Sequence, residues 1–396
     1  MPIEFIGMIG TKDASETRHN AGPVIDPDYT RRFARAHEDA GFDRILIGYG
    51  SGFPEGSQVA AHALAHTERL STLIAHRPGF IAPTLAARQF ATLDQFSGGR
   101  VAVHTITGGH DAEQRRDGDY LNHDERYERT DEYLGILRQT WTSDEPFSHE
   151  GKHYKFEDHY AEVKPLTPIR LYFGGSSAAA YRVGGRHADT FALWGEPLKE
   201  TAEQIASVRA AAIAAGRTDV PGISVSFRPI LAPTEELAWE RAEHILDTIK
   251  AGPGGGGALW SGKRRPWRTP GAQPENVGSQ RLLAAADKAD RHDRALWTAP
   301  AKATGAGGNS TALVGTPETV AQALLDYIDI GVTTILIRGY DPLDDAIDYG
   351  RYLLPLVREE VARRDAEKAA ETNGATSQFT SEEARTLVSS TAGSAQ

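Results

Sequence analysis

Arg170-Leu-Tyr-Phe-Gly-Gly-Ser-Ser-Ala-Ala-Ala-Tyr-Arg182 reads as a short apolar strand, a Gly174-Gly175 turn and a helix entered at Ser176 or Ser177. A glycine pair lets backbone approach a ligand closely, because no Cβ intervenes. The serine hydroxyls can cap the helix, whose first N–H groups lack partners and favour an anion. The stretch is therefore a candidate phosphate cradle at the C-terminal end of a strand. The next strand, Thr190 to Leu193, runs into Trp194-Gly195-Glu196-Pro197, which sets an aromatic ring and an acid on the following loop.

The same unit recurs on both sides. Ile3 to Met8 reads as a strand, and Asp26 then caps a helix with Pro27 in its first turn, where a missing N–H costs nothing. Arg44 to Tyr49, Ser71 to His76 and Val101 to Ile106 are further strands, with helices predicted over 58–69 and 84–96 between them. Ile169 to Phe173, Thr190 to Leu193, Ile223 to Ile230 and Thr333 to Ile337 bring the number of strands to eight. Short apolar strands alternating with helices imply a parallel sheet buried on both faces, and eight such units imply a closed (β/α)8 TIM barrel with insertions. An open doubly wound sheet is the competitor, but no G-x-G-x-x-G follows the first strand.

The pattern predicts a single barrel domain over residues 1–363. Insertions fall at about 108–119 and at 147–164, the latter read as a small β-hairpin, and a mobile loop spans 251–309. A low-complexity tail follows over 364–396. The chain has 396 residues, 40% of them hydrophobic, which is enough for a substantial core. Its net charge of −11 disfavours nucleic acid as a partner. The absence of cysteine excludes disulfides, thiolate metal sites and a cysteine nucleophile. No signal peptide and no bilayer-spanning run are read, so a cytoplasmic location is expected.

A barrel of this kind carries its site at the C-terminal strand ends. Those ends are Tyr49, His76, His104 to Thr107, Gly174 to Ser177, Trp194, Arg228 and Tyr340. His76, His104, His110 and Asp111 have metal-ligating side chains, but nothing in their spacing requires a metal. No nucleophile elbow and no paired carboxylates at strand ends occur. A neutral, aromatic, arginine-bearing mouth beside a phosphate cradle suits a phosphorylated cofactor that supplies the hard chemistry.

His76-Arg-Pro-Gly, the run from Pro83 to Asp94, Ser97-Gly-Gly-Arg100, Ile106-Thr-Gly108, His123 to Tyr127, Leu171 to Ser177, Leu193 to Pro197, Ser310 to Gly315 and Gly339-Tyr340 occur in this order. As a set the chain resembles the bacterial-luciferase-like flavin monooxygenases, and within them the FMNH2-dependent alkanesulfonate and dialkylsulfone branch. The resemblance implies a TIM barrel that receives reduced FMN from a separate NAD(P)H:flavin reductase. With O2 it would oxygenate a small organosulfur substrate, cleaving a carbon–sulfur bond. A homo-oligomer, dimer or tetramer, is also implied. By position, Gly174, Gly175, Ser176 and Ser177 should hold the FMN phosphate, with His123 and Tyr127 beside them. Thr107 and His76 are expected at the cofactor, and His104, Trp194, Arg228 and Tyr340 at the chemistry. Tyr49 and Phe53 are expected at the substrate.

The departures carry information too. Where the sulfonate-cleaving relatives end the seventh strand with an Arg and a His, this chain has Ser226 and Arg228. The relatives' mobile-loop Arg falls at Ala306, their His after the last strand at Pro342, and a loop Cys at Phe53. Loss of those cations implies a less charged substrate, such as a sulfone. Two alternatives stay open: a deazaflavin-dependent oxidoreductase of the same superfamily, and a flavin-binding protein without catalysis.

Overall fold

Residues 3–19, 22–251, 274–308 and 310–370 are described by the computed structural model. The remainder of the expected loop, 252–273, and of the expected tail, 371–396, lies outside the described residues. The chain runs β1 (Glu4–Ile9), α1 (Pro27–Asp39), β2 (Arg44–Ile47), α2 (Gly56–Ala65), β3 (Ser71–His76), α3 (Pro83–Ser97), β4 (Val101–Thr105) and a short α4 (Asp111–Gln114). There follow α5 (His123–Thr142), β5 (Phe147–Glu150), β6 (Lys155–His159), β7 (Arg170–Gly174), α6 (Ala178–His187), β8 (Thr190–Trp194), α7 (Leu198–Ala214), β9 (Gly222–Leu231) and α8 (Glu235–Ala251). The last third is α9 (Val277–Lys288), β10 (Arg291–His292), β11 (Leu296–Trp297), α10 (Ala299–Thr304), β12 (Ala312–Gly315), α11 (Pro317–Asp329), β13 (Thr334–Ile337) and α12 (Pro342–Asp348). Helix continues to residue 370.

The barrel is β1-β2-β3-β4-β7-β8-β9-β13, with β13 returning to β1, and every pairing in it is parallel. These are the eight strands that the sequence predicts. Their apolar runs face two ways. Ile6, Leu73, Ala102, Tyr172 and Leu336 fill the barrel interior as one cluster, while a larger cluster lies between the strands and the helices. The interior is closed off at Glu4, whose carboxylate pairs with Arg44 and accepts the Tyr172 hydroxyl at 2.7 Å.

Helix ends follow side-chain chemistry. Asp26 caps α1 by accepting the Tyr29 N–H at 2.9 Å. The second helix departs from its predicted span of 58–69. It starts early because the Glu55 carboxylate accepts the Ser57 and Gln58 N–H groups. It stops early because the N–H groups of Glu68, Arg69 and Leu70 turn to the Glu38 carboxylate instead. The 147–164 stretch forms the antiparallel pair β5–β6 outside the barrel.

Three strands were not anticipated, β10, β11 and β12. β12 pairs with the second half of β9, Ala312 opposite Arg228 through Gly315 opposite Leu231. It begins where β8 stops, at Trp194 opposite Ser226. A side sheet β10-β11-β12 is thereby grafted onto the barrel, and the ten residues of β9 are buried almost throughout. Between residues 274 and 308, α9 and α10 pack beneath Trp194 through Leu282, Ala301 and Ala306. Among the described residues no helix is long and apolar enough to cross a membrane.

Candidate active site

A cavity of about 420 Å³ opens at the C-terminal strand ends. That size falls in the range of small-molecule and cofactor sites. Its lining includes Tyr49, Phe53, His104, Thr107, Tyr127, Gly174, Gly175, Ser176, Trp194, Arg228 and Tyr340, so most of the residues singled out in the sequence meet there. Ser177, His123 and His76 stand outside the lining.

At one end is the cradle. Ser177 is the N-cap of α6, its hydroxyl accepting the Ala180 N–H at 3.2 Å. Gly175 has φ +147°, and a Cβ there would lie 2.6 Å from the Ala180 Cβ and 3.0 Å from the Tyr127 hydroxyl. Any side chain would therefore strain the backbone and fill the cradle. Burial raises the Tyr127 phenol pKa, countered by the hydroxyls of Ser177 and Thr107, so it stays protonated as a donor. His123 opens α5, half-exposed, with its Nδ1 2.8 Å from Asp124 and its ring 4.8 Å from that of Tyr127. A helix N-terminus, a Cβ-free turn and a phenol donor fit a phosphate dianion.

The adjoining wall is largely neutral. His104 comes from β4 and lies against Gly174, where a Cβ would sit 3.3 Å from its ring. Burial pulls its pKa down to about 4, so the ring is uncharged at neutral pH. Its Nδ1 is buried without a partner among the described residues. His76 turns away from the cavity: its Nε2 is 2.7 Å from the Tyr133 hydroxyl and its ring packs on Phe90. Burial also holds it neutral, with a pKa of about 4. Trp194 packs against Gly278, where a Cβ would lie 2.9 Å from the indole. Across the mouth, Tyr49 lies under the Arg77 guanidinium at 4.4 Å and donates to Asp117 at 3.2 Å. Phe53 folds back over Gly50.

The floor is ionic. Arg228, 2% exposed, stacks on the Tyr340 ring at 3.5 Å and donates from Nη2 to the Gly339 carbonyl at 2.8 Å. Its Nη1 lies 2.9 Å from Glu16, and Arg338 pairs with the other oxygen of the same carboxylate. Burial pushes the Glu16 pKa up, but the two guanidiniums outweigh it and bring the carboxyl to about 2. The hydroxyls of Tyr340 and Ser226 are buried without a partner among the described residues.

Glu16, Arg338 and Arg77 line the cavity without having been assigned a role in the sequence. Arg338 had a signal, since it directly follows the buried run Thr334–Ile337 on a strand whose end faces the mouth. Glu16 had none: it sits in the polar β1–α1 loop, and its position depends on contacts more than 200 residues away. Ala306, the site of the relatives' loop cation, is fully buried in the cluster under α9. Pro342 starts α12. Among the described residues no group of three or more His, Cys, Asp or Glu side chains is placed to hold a metal ion.

Solved structures share this architecture. The chain is similar to a riboflavin lyase solved with modified FMN and riboflavin (TM-score 0.75, 22% identity, 91% of this chain and 92% of that one). It is also similar to the EDTA monooxygenase from Chelativorans sp. BNC1 (0.70, 19%, 91% and 94%). An F420-dependent secondary alcohol dehydrogenase matches at 0.64, with 17% identity over 90% and 100%. At these identities the likeness concerns the fold. The sequence itself matches the luciferase-like monooxygenase family model over residues 3–334, and the chain is a member of that family.

Proposed function

We propose that the protein is the oxygenase of a two-component system. It takes reduced FMN from a separate NAD(P)H:flavin reductase and uses O2 to oxygenate a small organosulfur molecule, a sulfonate or sulfone, with cleavage of a carbon–sulfur bond. The observation that carries this reading is the cradle at Gly174 to Ser177, where Gly175 leaves room for a phosphate that a Cβ would displace. When bound, reduced FMN supplies the two electrons with which O2 delivers one oxygen atom to the substrate and releases the other as water.

The chain's own residues orient and insulate that chemistry. The α6 N-terminus and the Tyr127 phenol hold the phosphate end. His104, uncharged and beside Gly174, is a neutral hydrogen-bonding group at the inner wall. Trp194 and Phe53 give the cavity apolar walls that limit water. The Tyr340 hydroxyl and the Arg228 Nε are buried donors without partners among the described residues and can stabilise negative charge that develops on the substrate. Dimer or tetramer assembly belongs to the same proposal.

The test is a reductase-coupled assay over a panel of sulfonates and sulfones, following sulfite, sulfinate and aldehyde together. Product release dependent on reduced FMN and O2 supports the reading. Oxygen consumption no faster than that of free reduced FMN on every substrate rejects it. The similarity to an F420-dependent dehydrogenase gives a second reading, hydride transfer with a deazaflavin. Spectral titration with each reduced cofactor separates the two.

A further inference from the structure

The 108–119 insertion crosses the mouth of the cavity, and one side of it is held by buried ionic contacts. The Glu113 carboxylate accepts from Arg77 Nη2 at 3.3 Å and from the Ser51 N–H at 3.2 Å, and the Arg77 and Glu113 side chains are only 4% and 15% exposed. Asp119 pairs with Arg129, and both are buried. Asp117 accepts the Tyr49 hydroxyl at 3.2 Å, and the Asp111 carboxylate lies 2.9 Å from Arg126. The insertion is thereby fastened to the β2–α2 loop, to the residue that follows β3, and to α5.

On its other side the insertion meets the start of α9 through exposed groups. The Asp111 N–H donates to the Glu275 carboxylate at 3.1 Å in an exposed position. Gly109 lies so near Asn276 that a Cβ on the glycine would sit 3.4 Å from the asparagine Cβ. Gly108, Gly109 and Asn276 line the cavity, so this seam is part of its wall. Barrel order sets the cradle strand β7 between β4, which feeds the insertion, and β8, whose Trp194 packs on α9. The seam therefore closes the mouth on the side of the cradle. An exposed hydrogen bond is readily exchanged for water, whereas breaking a buried ion pair strands a charge without solvent. Opening should begin at the seam and leave the ionic side in place. Gly108 and Gly118, at the two ends of the insertion, have φ of +97° and +87°, which glycine adopts without steric cost.

We propose that the seam between Gly109 and Asn276 is a gate: the insertion is a strap fixed on its ionic side, and FMN enters and leaves the cavity when the strap parts from α9. The proposal rests on the reading above that this cavity takes a flavin. A gate sets rates rather than affinity. Blocking it slows entry and exit by the same factor, because the free and bound end states are unchanged. A residue that touches the cofactor changes affinity instead.

The test is a staple across the seam. The chain has no cysteine, so one pair can be introduced without competing thiols. A Cβ separation of 3.4 Å is close to that of a disulfide, so Gly109→Cys with Asn276→Cys should pair on oxidation. Asn276 caps α9 at the Ser279 N–H, so the reduced double variant is the reference for the oxidised one. Stopped-flow quenching of oxidised FMN fluorescence should show association and dissociation each slowed at least about tenfold by oxidation, with Kd held within about threefold. Reductant should restore both rates. Cysteines that do not pair, rates unchanged by pairing, or affinity that falls through dissociation alone overturns the gate. Hydrogen exchange reads the strap without any ligand: pairing should slow exchange of the 108–111 amides about tenfold or more. If FMN binds neither the variant nor the unmodified chain, the flavin reading falls. Exchange then decides the strap by itself: slowing keeps it, and unchanged exchange rejects it.

Discussion

The two ends of the cavity are made of different material. The cradle is backbone: a turn at Gly174 and Gly175, a helix N-terminus and one cap, all within a few residues of sequence. The floor is side chain: Glu16, Arg228, Arg338 and Tyr340, drawn from three parts of the chain and held by ion pairs and a stacked ring. A backbone site recognises what every member of a family must bind. A side-chain site can be rewritten residue by residue. The cradle is therefore the expected seat of the shared cofactor, and the floor the seat of whatever is particular to this protein.

The comparison breaks most visibly if the floor proves separable from the fold. Arg228→Met leaves Glu16 with Arg338 alone, and removing one partner of a buried ion pair costs about 3–5 kcal/mol. The low end applies here because Arg338 remains. Chemical denaturation should show that loss, and turnover should fall at least about tenfold through the missing donor, with FMN affinity unchanged. A matching fall in FMN affinity would mean that the two ends are one site.

Acid should separate the ends by pH. His104, beside the cradle, and His76 behind it have folded pKa values of about 4, below the ordinary histidine value. The unfolded chain binds protons first, so their neutral forms favour folding above about pH 6.5 and that contribution disappears as the pH falls toward 4. The loss is on the order of 3 kcal/mol for each fully buried ring. Glu16 is also depressed, to about 2, so its contribution persists down to about pH 4.5 and fades below that. Melting temperatures at pH 7, 5 and 3.5 should therefore show a first drop that His76→Phe diminishes and that Glu16→Gln does not. A single transition below pH 4 would contradict the assignment.

The same contrast explains what could be read from the sequence. The eight barrel strands were legible because each is a local apolar run, and the cradle was legible because its chemistry lies within a dozen residues. β12 was not, since Ala312 to Gly315 is a strand only because the end of β9 lies open beyond Trp194. Glu16 and Arg338 were missed because their meaning is pairwise. Neither residue is informative until the barrel closes and sets the first and last strands side by side. The inference from Ser226 and Ala306 to a less charged substrate was drawn position by position, and Arg338, at the end of the strand beside β9, lies outside those positions.

Smaller changes sharpen the cradle half. Gly175→Ala puts a Cβ 2.6 Å from that of Ala180 at a positive φ, a strain of about 1–3 kcal/mol. FMN affinity should drop at least about tenfold, since the same methyl crowds the Tyr127 hydroxyl. The finest probe is Ser177→Ala. Its hydroxyl caps α6 at the Ala180 N–H and belongs to the proposed phosphate cradle, so two effects need separating. Loss of the cap alone costs about 1 kcal/mol of stability. If Ser177 acts only as a cap, Ser177→Asp should restore that stability and repel the phosphate by placing a carboxylate at the helix N-terminus. If the hydroxyl donates to the phosphate, both variants should weaken FMN, whereas riboflavin, which lacks the phosphate, should bind alanine variant and wild type alike. Equal weakening of FMN and riboflavin would place Ser177 in the folding of the turn and leave the anion to the bare N–H groups of α6.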